Sequence, residues 1–323
     1  MPSIQPTIHI ACAADAGYVK PMATMLHSVF ANVGQGRSVL VHALDGGIAD
    51  EDKASIEASC RGGPGSIRWV PANDSRFPGA PLWGRMSVST YYKLLLAERL
   101  PTDLEKIIWL DCDLLVLTDV GRLWDQDLNG HHSLAAQDAV VPLVSSQSGV
   151  AGWRELGIPA DALYFNAGVM SINLTLWRRD RVGDRALEYV RRYRDRVYFW
   201  DQEGLNAVLA GKWAALDPRW NHNVSVPSGA TRSAQDADGD PWIIHFAGNV
   251  KPWRFSVRTP PHELYFRYLD LTPWKGWRPA QTPAGSLIGF YERAGIRRVV
   301  YPMEMWWMRL MRAMTKRSAG EDS

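Results

Sequence analysis

Apolar residues fall along this chain in short runs that alternate with helical stripes. Ile8–Ala14 is a mostly apolar run closed by Asp15-Ala16-Gly17, and it reads as a buried strand feeding a loop. Behind it Met22, Met25, Leu26, Val29 and Phe30 recur three and four residues apart, which is one face of a helix. The alternation continues with a strand over 38–44, a helix over 49–60 and a strand over 67–70. A helix capped by Ser87 or Ser89 then runs through Leu94, Leu95 and Leu96, and Lys106–Leu110 forms a further strand. Strands and helices in alternation predict an α/β fold with a mostly parallel central sheet flanked by helices. In such sheets ligands sit beyond the carboxyl ends of the strands.

Two stretches lack a period. Residues 139–162, centred on Ser145-Ser146-Gln147-Ser148-Gly149, predict a long loop or lid, and 228–240 is a second polar stretch of that kind. Residues 174–196 hold eight Arg and four acids and predict one charged, solvated helix. No internal repeat is visible.

Composition narrows the picture. With 323 residues, 46% apolar and 22% charged, the chain can bury a full core and is neither disordered nor fibrous. No stretch of eighteen apolar residues exists to span a membrane. The N-terminus lacks a basic segment followed by an apolar one, so no secretion signal is expected. Cys12, Cys60 and Cys112 are odd in number and far apart, which excludes a disulfide framework and fits a reducing, cytoplasmic setting. Charge is uneven: residues 292–317 carry +5 of a total of +2, leaving −3 on the rest, which argues against a nucleic-acid partner. Fifteen Trp is a large excess, and the flat, amphipathic indole suits sugars, bases or a bilayer surface.

Candidate chemistry clusters at two strand ends. Asp111-Cys112-Asp113 follows the apolar run Ile107-Ile108-Trp109-Leu110, and two carboxylates there can share a hard cation such as Mg²⁺ or Mn²⁺. The spacing alone is weak, since the chain holds five Asp-x-Asp pairs, but only 111/113 directly follows a buried strand. His245 closes another apolar run, Trp242-Ile243-Ile244, and a neutral imidazole can complete a site built by two carboxylates. Gly248 permits close backbone approach to a ligand, and Lys251 offers a point charge for phosphate.

The ordered set Ala13-Ala14-Asp15…Tyr18, Tyr91-Tyr92-Lys93-Leu94, Trp109-Leu110-Asp111-Cys112-Asp113, Phe165-Asn166-Ala167-Gly168-Val169, Trp200-Asp201-Gln202-Glu203…Asn206 and His245-Phe246-Ala247-Gly248…Lys251-Pro252-Trp253 resembles glycosyltransferase family 8, in particular its members that build bacterial lipopolysaccharide. The motifs span about residues 8–255. The resemblance implies a GT-A fold, a UDP-hexose donor, a Mn²⁺ ion (Mg²⁺ as the substitute) and retention of anomeric configuration. It implies that Asp111, Asp113 and His245 hold the metal, and that Asp111 also meets the donor. It places Ala13, Asp15 and Tyr18 at the uridine, and Gly248 and Lys251 over the diphosphate. Lys93, Asn166, Ala167, Asp201 and Gln202 would surround the sugar, with Gln202 and Asp201 as the catalytic pair. Plain structural roles stay open beside these: Tyr18 as a packing residue, Asn166 as a turn residue, and Asp201 as the N-cap of a helix over 202–211. Lys93 stands where the pattern has Arg, and Gly17 where it has Asn, so donor identity is affected more than metal use.

The expected organisation is a catalytic domain over 1–270 and a basic, Trp-rich tail over 271–323. In the tail Met303, Trp306, Trp307, Leu310, Met311 and Met314 share one helical face, with Arg309, Arg312 and Lys316 opposite. That pattern suits an anionic membrane surface ahead of the alternative, a helix docked on the body. The expected protein is a cytoplasmic hexosyltransferase, peripheral on the inner membrane face, galactosyl rather than glucosyl. Its acceptor would be a saccharide or glycolipid, lipopolysaccharide first, gripped by 139–162 and Asp138. The alternatives are a catalytically weak UDP-sugar-binding protein and a metal-dependent phosphoesterase.

Overall fold

The computed structural model describes residues 7–77, 80–82, 87–225, 239–248, 250–255 and 259–282. The basic face of the tail, with Trp306 and Trp307, and most of the polar stretch 228–240 lie outside them. The first half follows the alternation. β1 (Ile8–Ala14) leads into α1 (Val19–Asn32), β2 (Val39–Asp45) into α2 (Asp50–Ser59), and β3 (Gly65–Pro71) into a 3₁₀ segment over Val88–Leu95 that ends in α3 (Leu96–Arg99). Then come β4 (Lys106–Leu110), β5 (Leu114–Val116), α4 (Gly121–Trp124) and β6 (Ser133–Gln137). The second half holds β7 (Phe165–Asn173), α5 (Leu174–Arg179), α6 (Val182–Arg192), α7 (Trp200–Leu209), β8 (Trp213–Ala215), β9 (His222–Asn223), β10 (Ile243–His245) and α8 (Pro260–Leu269).

Seven strands form the main sheet in the order β3-β2-β1-β4-β7-β6-β8. The β3/β2, β2/β1, β1/β4 and β6/β8 pairs are parallel, and β7 runs antiparallel to β4 and β6. The sheet is thus mostly parallel, as expected. Its centre is buried on both faces. Along β4, Ile107 and Trp109 enter one core with Tyr91, Phe165 and Trp177, while Ile108 and Leu110 enter the other with Ile8, Met22 and Trp220. Side chains alternate between faces with period two, so a strand covered on both sides reads as an unbroken apolar run.

The reversal of β7 matters for the site. Leu110 pairs with Val169, so Asn166, Ala167 and Gly168 lie just past the carboxyl end of β4. The Asp111 N–H donates to the Gly168 carbonyl at 2.8 Å. A small second sheet, β5-β10-β9, brings His245 opposite Leu114, and the Phe246 N–H donates to the Asp113 carbonyl at 2.9 Å.

Three expectations need correction. The segment 174–196 is two helices, because Arg181 takes a left-handed φ of 49° and Asp180, at the end of α5, is held by His132 at 2.6 Å. α6 is not a solvated rod: Ala186, Leu187, Tyr189 and Val190 are buried. It lies so close to the 3₁₀ segment that a Cβ on Gly183 would fall 1.9 Å from the Leu94 carbonyl oxygen.

Ser87 holds the cap position before that segment, but its hydroxyl meets Ser89 Oγ at 2.5 Å and no backbone N–H, and only α3 is α-helical there. Residues 139–162 form no helix or strand, as expected of a loop, yet they are not a free lid. Val141, Val144, Val150 and Ile158 are buried. The buried Glu203 accepts hydrogen bonds from the Ala151 N–H (2.9 Å), the Tyr189 hydroxyl (2.7 Å) and the Tyr198 N–H (2.7 Å), which clamps this loop to α6 and α7. The described residues after α8 also pack on the body: Trp274 and Trp277 cover its apolar face, and Lys20 sits over the Trp277 ring at 5.1 Å.

Candidate active site

Asp111 leaves the end of β4, Asp113 stands at the start of β5, and His245 ends β10. One ligand atom from each lies within 4.8 Å of the others. Two carboxylate oxygens and an imidazole nitrogen form a hard, nitrogen-completed donor set that fits Mn²⁺ or Mg²⁺. Asp113 is charged at any ordinary pH. Burial would raise its carboxyl, but Lys251 and His245 outweigh burial and hold it well below the usual range. The Lys251 ammonium donates to Asp113 and, at 2.6 Å, to the Phe246 carbonyl. The residue expected over the diphosphate is therefore, without a ligand, the counter-ion of a carboxylate in the candidate metal site.

The imidazole is fixed on two sides. Nε2 faces Asp113 Oδ1 at 3.3 Å, and Nδ1 lies 2.8 Å from Asn221 Oδ1. The position of Gly168 leaves room for the ring and for nothing larger than hydrogen.

Lys93, on the 3₁₀ segment, is buried against the same carboxylates. Its ammonium lies 2.8 Å from Asp201, 3.3 Å from Asp111 and 3.1 Å from the Ala167 carbonyl, above the Trp109 ring at 5.2 Å. Burial acts to neutralise it, but Asp111 and Asp201 prevail and raise its pKa above the ordinary lysine value. Burial pushes the Asp201 carboxyl up, against the pull of Lys93. Trp109 Nε1 donates to Asp111 at 2.7 Å, so the strand's own indole orients this carboxylate.

Asp201 is not an N-cap. Phe199 holds that position, and Asp201 sits inside the first turn of α7, where it accepts the Thr90 hydroxyl at 2.7 Å. The helix begins at Trp200, whose φ of 40° is left-handed. A bulky residue in that region is strained, and such strain gathers at functional sites. The next two side chains, Asp201 and Gln202, meet Lys93 and the Ala167 N–H in the site. Gln202 is held at both ends: its Oε1 accepts the Ala167 N–H at 3.0 Å, and its Nε2 donates to Asp138 at 3.1 Å. Asp138 also accepts Asn166 Nδ2 at 2.9 Å.

At the rim, Asp15 accepts the Gly17 N–H at 2.9 Å and the Ser89 hydroxyl at 3.3 Å. The Ala13 carbonyl accepts Cys112 Sγ at 3.1 Å, which ties the end of β1 to the Asp111–Asp113 turn. Tyr18 packs edge-on against Trp253, with centroids 5.6 Å apart, and burial followed by the Asp113 charge raises its phenol well above the usual value. Gly248 adopts φ 84°, a backbone state that favours glycine. The expected residues thus gather along the carboxyl edge of β1 and β4. Asn221 and Thr90 are additions, and neither carries a sequence signal: Asn221 lies in a short turn before β9, and Thr90 in a Ser-Thr run.

A family model described as Glycosyl transferase family 8 matches residues 9–256. General stress protein A of Bacillus subtilis (strain 168) is 27% identical over 278 residues, 83% of this chain and 94% of that protein. Lipopolysaccharide 1,2-glucosyltransferase of Escherichia coli (strain K12) is 26% identical over 222 residues, 67% of this chain and 62% of that protein. Among solved structures, galactosyltransferase LgtC in complex with donor and acceptor sugar analogs aligns with a TM-score of 0.72 and 29% identity, over 82% of this chain and 96% of that one.

Proposed function

This chain belongs to glycosyl transferase family 8 with its GT-A fold, and we propose that it moves a hexose, galactose before glucose, from a UDP-sugar to a saccharide acceptor with retention of configuration. The observation that carries the reading is the convergence of Asp111, Asp113 and His245 within 4.8 Å, beside the buried Lys93–Asp201 pair and the doubly anchored Gln202. Such a cluster has the donors that a diphosphate-bound cation and a row of sugar hydroxyls require.

Asp111, Asp113 and His245 would hold Mn²⁺, which supplies charge neutralisation for the UDP leaving group. Asp15 and Tyr18 frame the uridine end with the Ala13 backbone. Gly248 and Lys251 close over the diphosphate once Lys251 gives up Asp113. Lys93, Asn166, Ala167 and Asp201 line the sugar. Gln202 is a poor nucleophile, since its amide oxygen would have to become an imidate, and here that oxygen already accepts the Ala167 N–H. We favour front-face attack, in which Gln202 presents a fixed dipole to the positively charged sugar and the diphosphate takes the acceptor proton.

The lipopolysaccharide transferases among the relatives support a lipopolysaccharide or similar cell-surface glycan as acceptor. No described helix is long and apolar enough to cross a membrane. Peripheral attachment at the inner membrane face, through the basic tail, is part of the proposal. Incubation with UDP-Gal, UDP-Glc and UDP-GlcNAc, with Mn²⁺ or with EDTA, followed by UDP release and analysis of the sugar product, tests the reading. Metal-dependent UDP release with α-linked transfer supports it. Full turnover in EDTA, or no transfer to any saccharide, overturns it.

A further inference from the structure

The hydrogen bonds between the sugar side and the metal side of this site have a forced direction. The Gly168 backbone N–H can only donate, and it points at one side-chain atom of Asn166 at 3.0 Å. That atom must be Oδ1, so the other is Nδ2, which reaches Asp138 at 2.9 Å. Asn166 Oδ1 is also met by Asn221 at 2.9 Å, and the approaching atom must be a donor, hence Asn221 Nδ2. The remaining atom of Asn221 is its carbonyl oxygen, 2.8 Å from His245 Nδ1. An acceptor there requires a proton on Nδ1. Nε2, facing Asp113 at 3.3 Å, is then the one ring nitrogen able to offer a lone pair to a cation.

Asn221 and His245 are both buried, with 5% and 4% of their surface exposed, so water does not compete for these contacts. Neither amide can flip without breaking a contact to a backbone N–H or to its buried neighbour.

We propose that Asn221 is a positioning residue that holds His245 with Nδ1 protonated and Nε2 turned to the metal, and that links this orientation to Asn166 on the sugar side. Hydrogen-bond partners of metal-bound histidines commonly govern affinity by 10–100-fold. The proposal rests on the metal reading above, and the experiment separates the two.

Mn²⁺ is titrated into the full chain in the presence of UDP and followed by electron paramagnetic resonance. Asp113→Asn tests the metal reading: unchanged binding would remove the metal from this site altogether. If Asp113→Asn weakens binding, Asn221→Ala is expected to weaken it about 10–100-fold. Asn221→Asp, which keeps an acceptor toward Nδ1, should lose clearly less than Asn221→Ala. Wild-type affinity in Asn221→Ala, or equal losses in both variants, would overturn the role. Asn221→Asp loses the donor toward Asn166, so it should bind UDP-galactose more weakly while UDP binding is unchanged; equal loss for both ligands overturns the link to the sugar side. Should Asn221→Ala fail to fold, ¹⁵N–¹H spectra of the wild-type, Mg²⁺-loaded chain read the ring directly. A proton on His245 Nδ1 supports the proposal, and one on Nε2 with Nδ1 bare overturns it.

Discussion

Gly168 lies against the ring of His245: a methyl group built on its α-carbon would stand 2.5 Å from Cε1 and 2.9 Å from Nδ1. The third neighbour of that methyl group would be Asn166 Oδ1 at 3.0 Å, and the ring itself cannot turn aside without breaking the 2.8 Å contact of Nδ1 with Asn221 Oδ1. Gly168→Ala is therefore expected to cost about 1–3 kcal/mol of stability through overpacking. It should also weaken Mn²⁺ about 10–100-fold. Thermal unfolding and metal titration read the two effects separately, and a variant that binds Mn²⁺ as wild type does would show that the imidazole has room to move.

Lys93 is the shared counter-ion of Asp111 and Asp201, and all three meet beyond the end of β4. Lys93→Met would leave the buried Asp201 without its charge partner, which typically costs about 3–5 kcal/mol. Urea unfolding measures the loss. Asp201→Asn in the same chain should recover part of it, with a coupling of about 0.5–3 kcal/mol in the double-mutant cycle. Strict additivity would mean that the ion pair does not stabilise the fold.

Gln202→Ala removes a dipole fixed at both ends and leaves Asp111 and Asp113 untouched. Loss of one preorganised dipole commonly lowers turnover by about 10²–10³. UDP affinity should be unchanged, as equilibrium titration would show. A covalent sugar trapped on Asp201 or on a variant at 202 would instead indicate double displacement.

The opposite region of the main sheet carries a proton-dependent weakness. His9 on β1 and His42 on β2 stack, with His9 Nδ1 3.0 Å from His42 Nε2. Burial, and then His9 and Arg68, push His42 down to about 4. Burial and Arg68 also lower His9, against the weaker pull of Asp103. Unfolded, each imidazole takes its proton near pH 6.5. Between that pH and about 4 the unfolded chain binds more protons, so stability is full above pH 6.5 and declines as pH falls. The shift of His42 corresponds to about 3 kcal/mol. His42→Gln should flatten the stability–pH slope across this window; an unchanged slope would assign the acid sensitivity elsewhere.

Strands covered on both faces were the most legible elements. β1 and β4 coincide residue for residue with the apolar runs that announce them, and 111/113, the one Asp-x-Asp pair of five that follows β4, is the pair the fold brings beside His245. Local pattern failed where a distant contact decides. Nothing in 174–196 marks Arg181 for a left-handed turn, since the break follows from Asp180 meeting His132 across the fold. The loop over 139–162 reads as free because its anchor, Glu203, lies about fifty residues away. Asn221 is an ordinary turn asparagine until the fold sets it between Asn166 and His245.

The small sheet also has a consequence for synthesis. Its middle strand, β10, is the last strand made among the described residues, yet it pairs with β5, which emerges more than a hundred residues earlier. Until His245 and Lys251 leave the ribosome, Asp113 has neither its imidazole neighbour nor its ammonium partner. A nascent chain can assemble the front of the main sheet, but not the centre that would hold a cation. Fragments ending before residue 245 are thus expected to bind Mn²⁺ more weakly than the full chain, since completion of the site waits on the synthesis of β10.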